Sequence, residues 1–278
     1  MATSPSSDAL KSLKGTLVLA GAGKMGGAML SGWLAGGLDA KRVAVIEPHP
    51  SEEAHGFAAR GVRLNPPMGG IGTAEVLVLA VKPQMFAEAA PQLKPLVGAS
   101  TLVVSIMAGA TIAAIARLSG GQVIRAMPNT PAAIGRGITV AVPAAGVTAA
   151  QRALADALLR ATGSVEWIDD EALMDAVTAV SGSGPAYVFL LAEELARAGV
   201  AAGLPAALAT RLARETVSGA GELLRRSDLD SATLRQNVTS PGGTTAAALA
   251  VLMGDGGFKA LLERAVAAAT KRSKELAK

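Results

Sequence analysis

Two kinds of segment in this chain carry residues whose type and spacing could do chemistry. The first is Gly21-Ala22-Gly23-Lys24-Met25-Gly26, a GxGxxG that follows an apolar run, Thr16–Ala20, and opens a helical pattern over 25–34. Each glycine in such a loop has its own reason. The first permits a tight turn, the second lets backbone approach a pyrophosphate, and the third lets helix lie close to strand. The free N–H groups of the helix start then face the phosphates. An acid, Glu47, follows at the end of the next apolar run, 42–46, at the separation of about twenty residues that dinucleotide sites use. A carboxylate there accepts hydrogen bonds from the adenine ribose and repels a 2′-phosphate, so the residues lean toward NADH. Pro48 and Pro50 could instead place Glu47 in a solvent-facing turn, and Lys41 and Arg42 leave NADPH open.

The second kind combines glycine, proline and hydroxyls: Ser181-Gly182-Ser183-Gly184-Pro185-Ala186-Tyr187 and Thr239-Ser240-Pro241-Gly242-Gly243-Thr244-Thr245. The latter runs into a helical pattern over 244–253. Amides at such a start could hold a carboxylate, and the hydroxyls could meet a polar ring atom. A helix cap joined to a turn uses the same residue types. Spacing alone does not separate the two readings.

Other chemistries find little support. The absence of cysteine removes disulfides, thiolate catalysis and the usual structural zinc sites. His49 and His55 share one surface segment without a carboxylate cluster, which makes a poor metal site, so no metal is expected. The net charge is +4, but Lys and Arg are interspersed with Asp and Glu, and there are only two Trp, one Tyr and four Phe. Nucleic acid is therefore not an expected partner.

These segments need elements to hold them. At 278 residues the chain suggests two domains. Over 15–169 apolar runs at Thr16–Ala20, 42–46, 76–81, 101–105, 123–127 and 138–142 alternate with amphipathic stretches. That pattern predicts an α/β domain with a Rossmann-like, doubly wound sheet. Residues 170–278 are rich in Ala and Leu and predict an all-helical domain, with helices over 186–200, 205–225 and 258–278 and Pro205 in a first turn. Helices so rich in alanine bury little alone, so they are expected to pack against a second copy. The Ser-rich stretch 1–14 reads as a flexible leader, not a signal peptide. No run approaches the ~20 apolar residues of a membrane span, so a soluble, cytoplasmic protein is expected.

Gly21 to Gly26, Ala80-Val81-Lys82-Pro83, Ile124-Arg125-Ala126-Met127-Pro128-Asn129-Thr130-Pro131, Ser181 to Tyr187 and Ser240 to Thr245 stand in one order along the chain. In that order and spacing, everything from Thr16 onward resembles the pyrroline-5-carboxylate reductases. The resemblance implies a nucleotide-binding domain, then a helical dimerisation domain interleaved with its partner, and a homodimer that assembles into a larger oligomer such as a decamer. It also implies reduction of L-1-pyrroline-5-carboxylate to L-proline by hydride from NADH or NADPH, the last step of proline synthesis. By the same resemblance Ala80, Val81, Lys82, Pro83, Met107 and Ala108 line the cofactor. Asn129 and Pro131 lie nearer the nicotinamide, Glu171, Asn237, Val238, Ser240, Gly243 and Thr244 meet the substrate, and Thr245 is catalytic.

The chain departs from the family pattern at Glu47, where many members have a small hydroxyl residue, at Met68, where some have a ribose-binding Asn, and at Gln236, where Asp is frequent. A ring imine takes hydride most readily when its nitrogen is protonated or hydrogen-bonded. The Thr245 hydroxyl is sufficient for that, with positioning supplying most of the acceleration. Lys82 also has a plainer reading, packing at a helix start beside Pro83. Two rival functions fit less of the chain. Another cyclic-imine or 3-hydroxyacid reductase would use a Lys or Asp in the helical half, and no isolated Lys stands there at a helix start. A non-catalytic dinucleotide sensor would need no segment like Ser240 to Thr245.

Overall fold

The structure is a computed structural model that describes residues 10–11 and 13–276. These form two compact units. One holds the described residues up to Gly182 together with those from Thr270 on, and the other is Ser183–Ala269.

The first unit runs β1 (Thr16–Ala20), α1 (Lys24–Ala35), β2 (Val43–Ile46), α2 (Glu52–Ala59), β3 (Arg63–Leu64), β4 (Ala74–Leu79) and α3 (Pro83–Leu93). It continues with β5 (Leu102–Ser105), α4 (Ile112–Ser119), β6 (Gln122–Met127), β7 (Gly137–Pro143), α5 (Ala149–Arg160), β8 (Gly163–Trp167) and α6 (Met174–Val177). The strands make one eight-stranded sheet in the order β3-β2-β1-β4-β5-β6-β7-β8. β3 through β6 are parallel, β7 is antiparallel to β6, and β8 is parallel to β7.

Alternate side chains of the central strands feed two cores, as strands covered on both faces require. Leu17, Leu19, Val76 and Val78 join Trp33 and Leu158 on one face. Val18, Leu77, Leu79 and Val103 join Phe86 and Ile115 on the other. The doubly wound sheet is thus as the apolar runs predict.

Details differ. Asp39 accepts a hydrogen bond from the Lys41 amide and caps a short 3-10 turn over Ala40–Arg42, so β2 begins at Val43. β4 covers Ala74–Leu79 and leaves Ala80 and Val81 in the following loop. β3 and β8 were not expected. The composition changes at Asp170, but the compact unit ends later because Met174, 1% exposed, packs with Val140 and Val142.

The second unit contains α7 (Gly184–Ala201), α8 (Ala206–Arg226), α9 (Ser231–Asn237), α10 (Thr244–Leu252) and most of α11 (Phe258–Leu276). Pro205 caps α8 from outside its first turn, which corrects the expected placement. α7 and α8 approach closely through small residues, a Cβ on Gly199 falling 3.2 Å from that of Ala209. Ala209 and Ala213 are the buried residues of α7 to α10, whereas Phe189 is 66% and Val251 78% exposed.

Candidate active site

The glycine loop is shaped by what cannot fit. Gly21 has φ +94°, and a Cβ there would lie 2.6 Å from the Ala80 carbonyl oxygen. Its amide donates to the Ile46 oxygen at 2.9 Å, tying the loop to the end of β2. A Cβ on Gly26 would strike the Gly21 carbonyl, so α1 can lie against β1 only with glycine at this point. Gly23 differs, because nothing stands within 4 Å of its missing side chain. It is the N-cap of α1, with no side-chain cap, and Lys24 and Met25 follow in the first turn. The amides of that turn are left to an incoming ligand.

β1 and β4 are neighbours where the strand order reverses, the place in open α/β sheets where ligands settle at the carboxyl ends. The Ala80 amide donates to the Ala20 oxygen at 2.8 Å, and the Ile106 amide to the Leu79 oxygen at 3.0 Å. The glycine loop, Ala80 to Pro83 and the turn after β5 therefore meet at one edge. Val81 is half-buried there. Met107 is buried, its amide 3.3 Å from the Ser105 hydroxyl, and Ala108 is half-buried. Lys82 is exposed and is the N-cap of α3, with Pro83 next.

Glu47 does not point away into solvent. Its Oε2 accepts from the Ala22 amide at 2.9 Å and its Oε1 from the His49 amide at 3.0 Å. Its backbone is held on the other side by Asn65, a residue the sequence reading missed. His49 and His55 are exposed. An open Gly23, unused first-turn amides and an acid fixed beside them fit a dinucleotide.

Two sequence-predicted ligands also make hydrogen bonds within the protein. The Asn129 Oδ1 accepts from the Ile138 amide at 3.0 Å and so ties the turn before β7 to that strand. Glu171 Oε1 accepts from Arg125 at 2.8 Å and from the Ile112 amide, also at 2.8 Å. The Arg125 side chain is 5% exposed and that of Glu171 32%. The acid thereby neutralises a buried guanidinium and sits at the positive end of α4.

The second glycine-rich segment lies in the other unit. Asn237 ends α9, and Val238 is exposed. The chain then turns, with the Gly243 amide donating to the Ser240 oxygen at 3.0 Å and Gly242 at φ +69°. Gly243 is the N-cap of α10 and no side chain caps it, so the Thr244 and Thr245 hydroxyls are not spent on its amides. The first helical bond runs from the Ala247 amide to the Gly243 oxygen at 3.2 Å. The amides of residues 244–246 consequently have no helical acceptor. Asp230 caps α9, and the Thr233 amide, followed by its hydroxyl, holds the Asp230 carboxyl below its ordinary value.

A family description for pyrroline-5-carboxylate reductase dimerisation matches residues 171–276, and one for an NADP oxidoreductase, coenzyme F420-dependent, matches 16–109. The pyrroline-5-carboxylate reductase of Pseudomonas aeruginosa is 41% identical over 262 residues, which cover 92% of this chain and 95% of that one. This chain belongs to the pyrroline-5-carboxylate reductase family. The relative from Pisum sativum is 39% identical, over 94% of this chain and 96% of its own. The solved pyrroline-5-carboxylate reductase of Coxiella burnetii superposes with a TM-score of 0.84 at 34% identity, covering 96% of this chain and 100% of that one. The Plasmodium falciparum pyrroline carboxylate reductase, solved with NADP bound, gives 0.80 at 29%, over 95% and 98%. Among the described residues no group of three acids or histidines could hold a metal ion, and no helix is long and apolar enough to cross a membrane.

Proposed function

We propose that this chain reduces L-1-pyrroline-5-carboxylate to L-proline with hydride from NADH or NADPH. The observation that carries this reading is the start of α10, where a glycine N-cap leaves three amides and two threonine hydroxyls unused. A substrate carboxylate matches those amides and the positive end of the helix. The Thr245 hydroxyl then donates to the ring nitrogen, which draws charge from the C=N carbon. Asn237, Val238, Ser240 and Gly243 shape the turn around the ring.

The reduced nicotinamide, when bound, supplies the hydride that this carbon accepts. Nitrogen gains a proton as the carbon gains hydride, and the product is the saturated ring. The chain's own part is to hold the ring, exclude misaligned approaches and polarise nitrogen, without a strong base. Gly21 to Gly26, Ala80 to Pro83, Met107 and Ala108 hold the dinucleotide, with Glu47 on the ribose. Glu171, whose Oε1 is held by Arg125 and the Ile112 amide, keeps Oε2 for the substrate. Asn129, whose Oδ1 is held by the Ile138 amide, keeps its Nδ2 for the nicotinamide end of the cofactor.

The exposed apolar faces of α7 to α10 support a homodimer through the helical half, and the family resemblance extends this to a larger assembly of dimers. The test is turnover. Purified protein given pyrroline-5-carboxylate and either reduced nicotinamide should bleach the nicotinamide absorbance and form proline. No proline with either donor would overturn the reading.

A further inference from the structure

Resting on the dinucleotide site just assigned, we propose that Asn65 sets the choice between NADH and NADPH by fixing the place of the Glu47 carboxylate. Asn65 is the sole non-glycine residue with positive φ, +47°, among the described residues. This conformation is uncommon outside glycine, and Asn tolerates it best among residues with side chains. At that angle the side-chain amide makes a two-point pair with the Glu47 backbone. The Glu47 amide donates to Asn65 Oδ1 at 2.8 Å, and Asn65 Nδ2 donates to the Glu47 oxygen at 2.8 Å. Asn65 is itself anchored to the sheet, its amide donating to the Val45 oxygen at 2.8 Å. The residue that follows β2 is thus clamped by the residue that follows β3.

The clamp matters because of where the Glu47 side chain then goes. Both carboxylate oxygens are tied, Oε2 to the Ala22 amide of the glycine loop and Oε1 to the His49 amide. Each oxygen keeps a further lone pair for a ribose hydroxyl. A free glutamate could swing aside for a 2′-phosphate. This one would have to break two hydrogen bonds to do so, so its charge stays beside the ribose and disfavours the phosphorylated dinucleotide. Asn65 itself touches neither the loop amides nor the carboxylate. It is a positioning residue that acts through Glu47.

The experiment measures binding, not turnover: calorimetric dissociation constants of NAD+ and NADP+ for the wild type, Asn65→Gly, Glu47→Ser and the double variant. Glycine accepts φ +47° without strain and keeps the bond to Val45, so only the side-chain clamp is lost. The wild type should favour NAD+. Asn65→Gly should reduce that preference by about three- to tenfold, the scale of coupling between residues in contact. In the Glu47→Ser background the same change should leave the ratio unmoved.

A role confined to folding would weaken both ligands alike, so an unchanged ratio in Asn65→Gly overturns the proposal. An equal change with and without Glu47 overturns it too. Glu47→Gln adds an arm that leaves the Asn65 clamp on the backbone in place: with the charge gone the preference should be lost, and retention of it counts against the proposal. A wild type that binds neither dinucleotide would overturn the underlying cofactor reading as well, whereas an unmoved ratio with tight binding overturns only the part given to Asn65.

Discussion

At the residue scale, the start of α10 separates two roles for a threonine that the sequence leaves open. Thr245 stands in a first turn whose N-cap is Gly243, and no side chain caps it. Loss of its hydroxyl should therefore appear in catalysis and not in helix stability. Thr245→Ala is expected to lower kcat/KM by about 2–4 kcal/mol, the scale for removing one preorganised donor. Thr245→Ser should recover part of that, with melting temperatures close to wild type throughout. A variant with normal kcat that melts several degrees lower would reassign the residue. The glycines were legible because their spacing answers to geometry, and Gly21 and Gly26 do sit where no Cβ fits. The pairings of Arg125 with Glu171, Asn129 with Ile138 and Asn65 with Glu47 were not. Each joins residues nine or more positions apart through a hydrogen bond that no local pattern encodes.

At the scale of elements, the long Val- and Leu-rich strands could be read because a strand buried on both faces leaves a continuous apolar run. β3 is two residues, Arg63–Leu64, too short for any period. In β8, Gly163–Trp167, only Val165 is buried, so an edge strand wrote almost no signal. The cap of α9 makes a testable element, since this helix ends at Asn237. Asp230 has its carboxyl lowered from 3.8 by the Thr233 amide first and the Thr233 hydroxyl next. A carboxyl lowered on folding adds stability that is present above its unfolded value and is lost as pH falls through the folded one. Urea midpoints should therefore drop on acidification below pH 3.8 more steeply in the wild type than in Asp230→Asn, which caps without titrating. Parallel curves would contradict the assignment.

At the scale of the whole molecule, the helical unit leaves large apolar side chains uncovered, Phe189 at 66% and Val251 at 78% among them. The sequence foretold this through alanine-rich helices that bury little alone, although it could not name the exposed positions. Phe189→Glu should shift the sedimentation of the protein toward a monomer and depress activity. A variant that stays dimeric at low concentration would show that this face is not the interface. No metal-ligand group of three occurs among the described residues, so dialysis against EDTA should leave the rate unchanged. A loss restored by zinc or magnesium would bring a metal into the mechanism. The central claim, hydride delivered to the ring C=N carbon, is tested by turnover with NADH carrying deuterium at both C4 positions. Mass spectrometry of the proline formed should find one deuterium at C5, with the nitrogen proton drawn from solvent. Proline without deuterium, or none at all with either nicotinamide, would contradict the account.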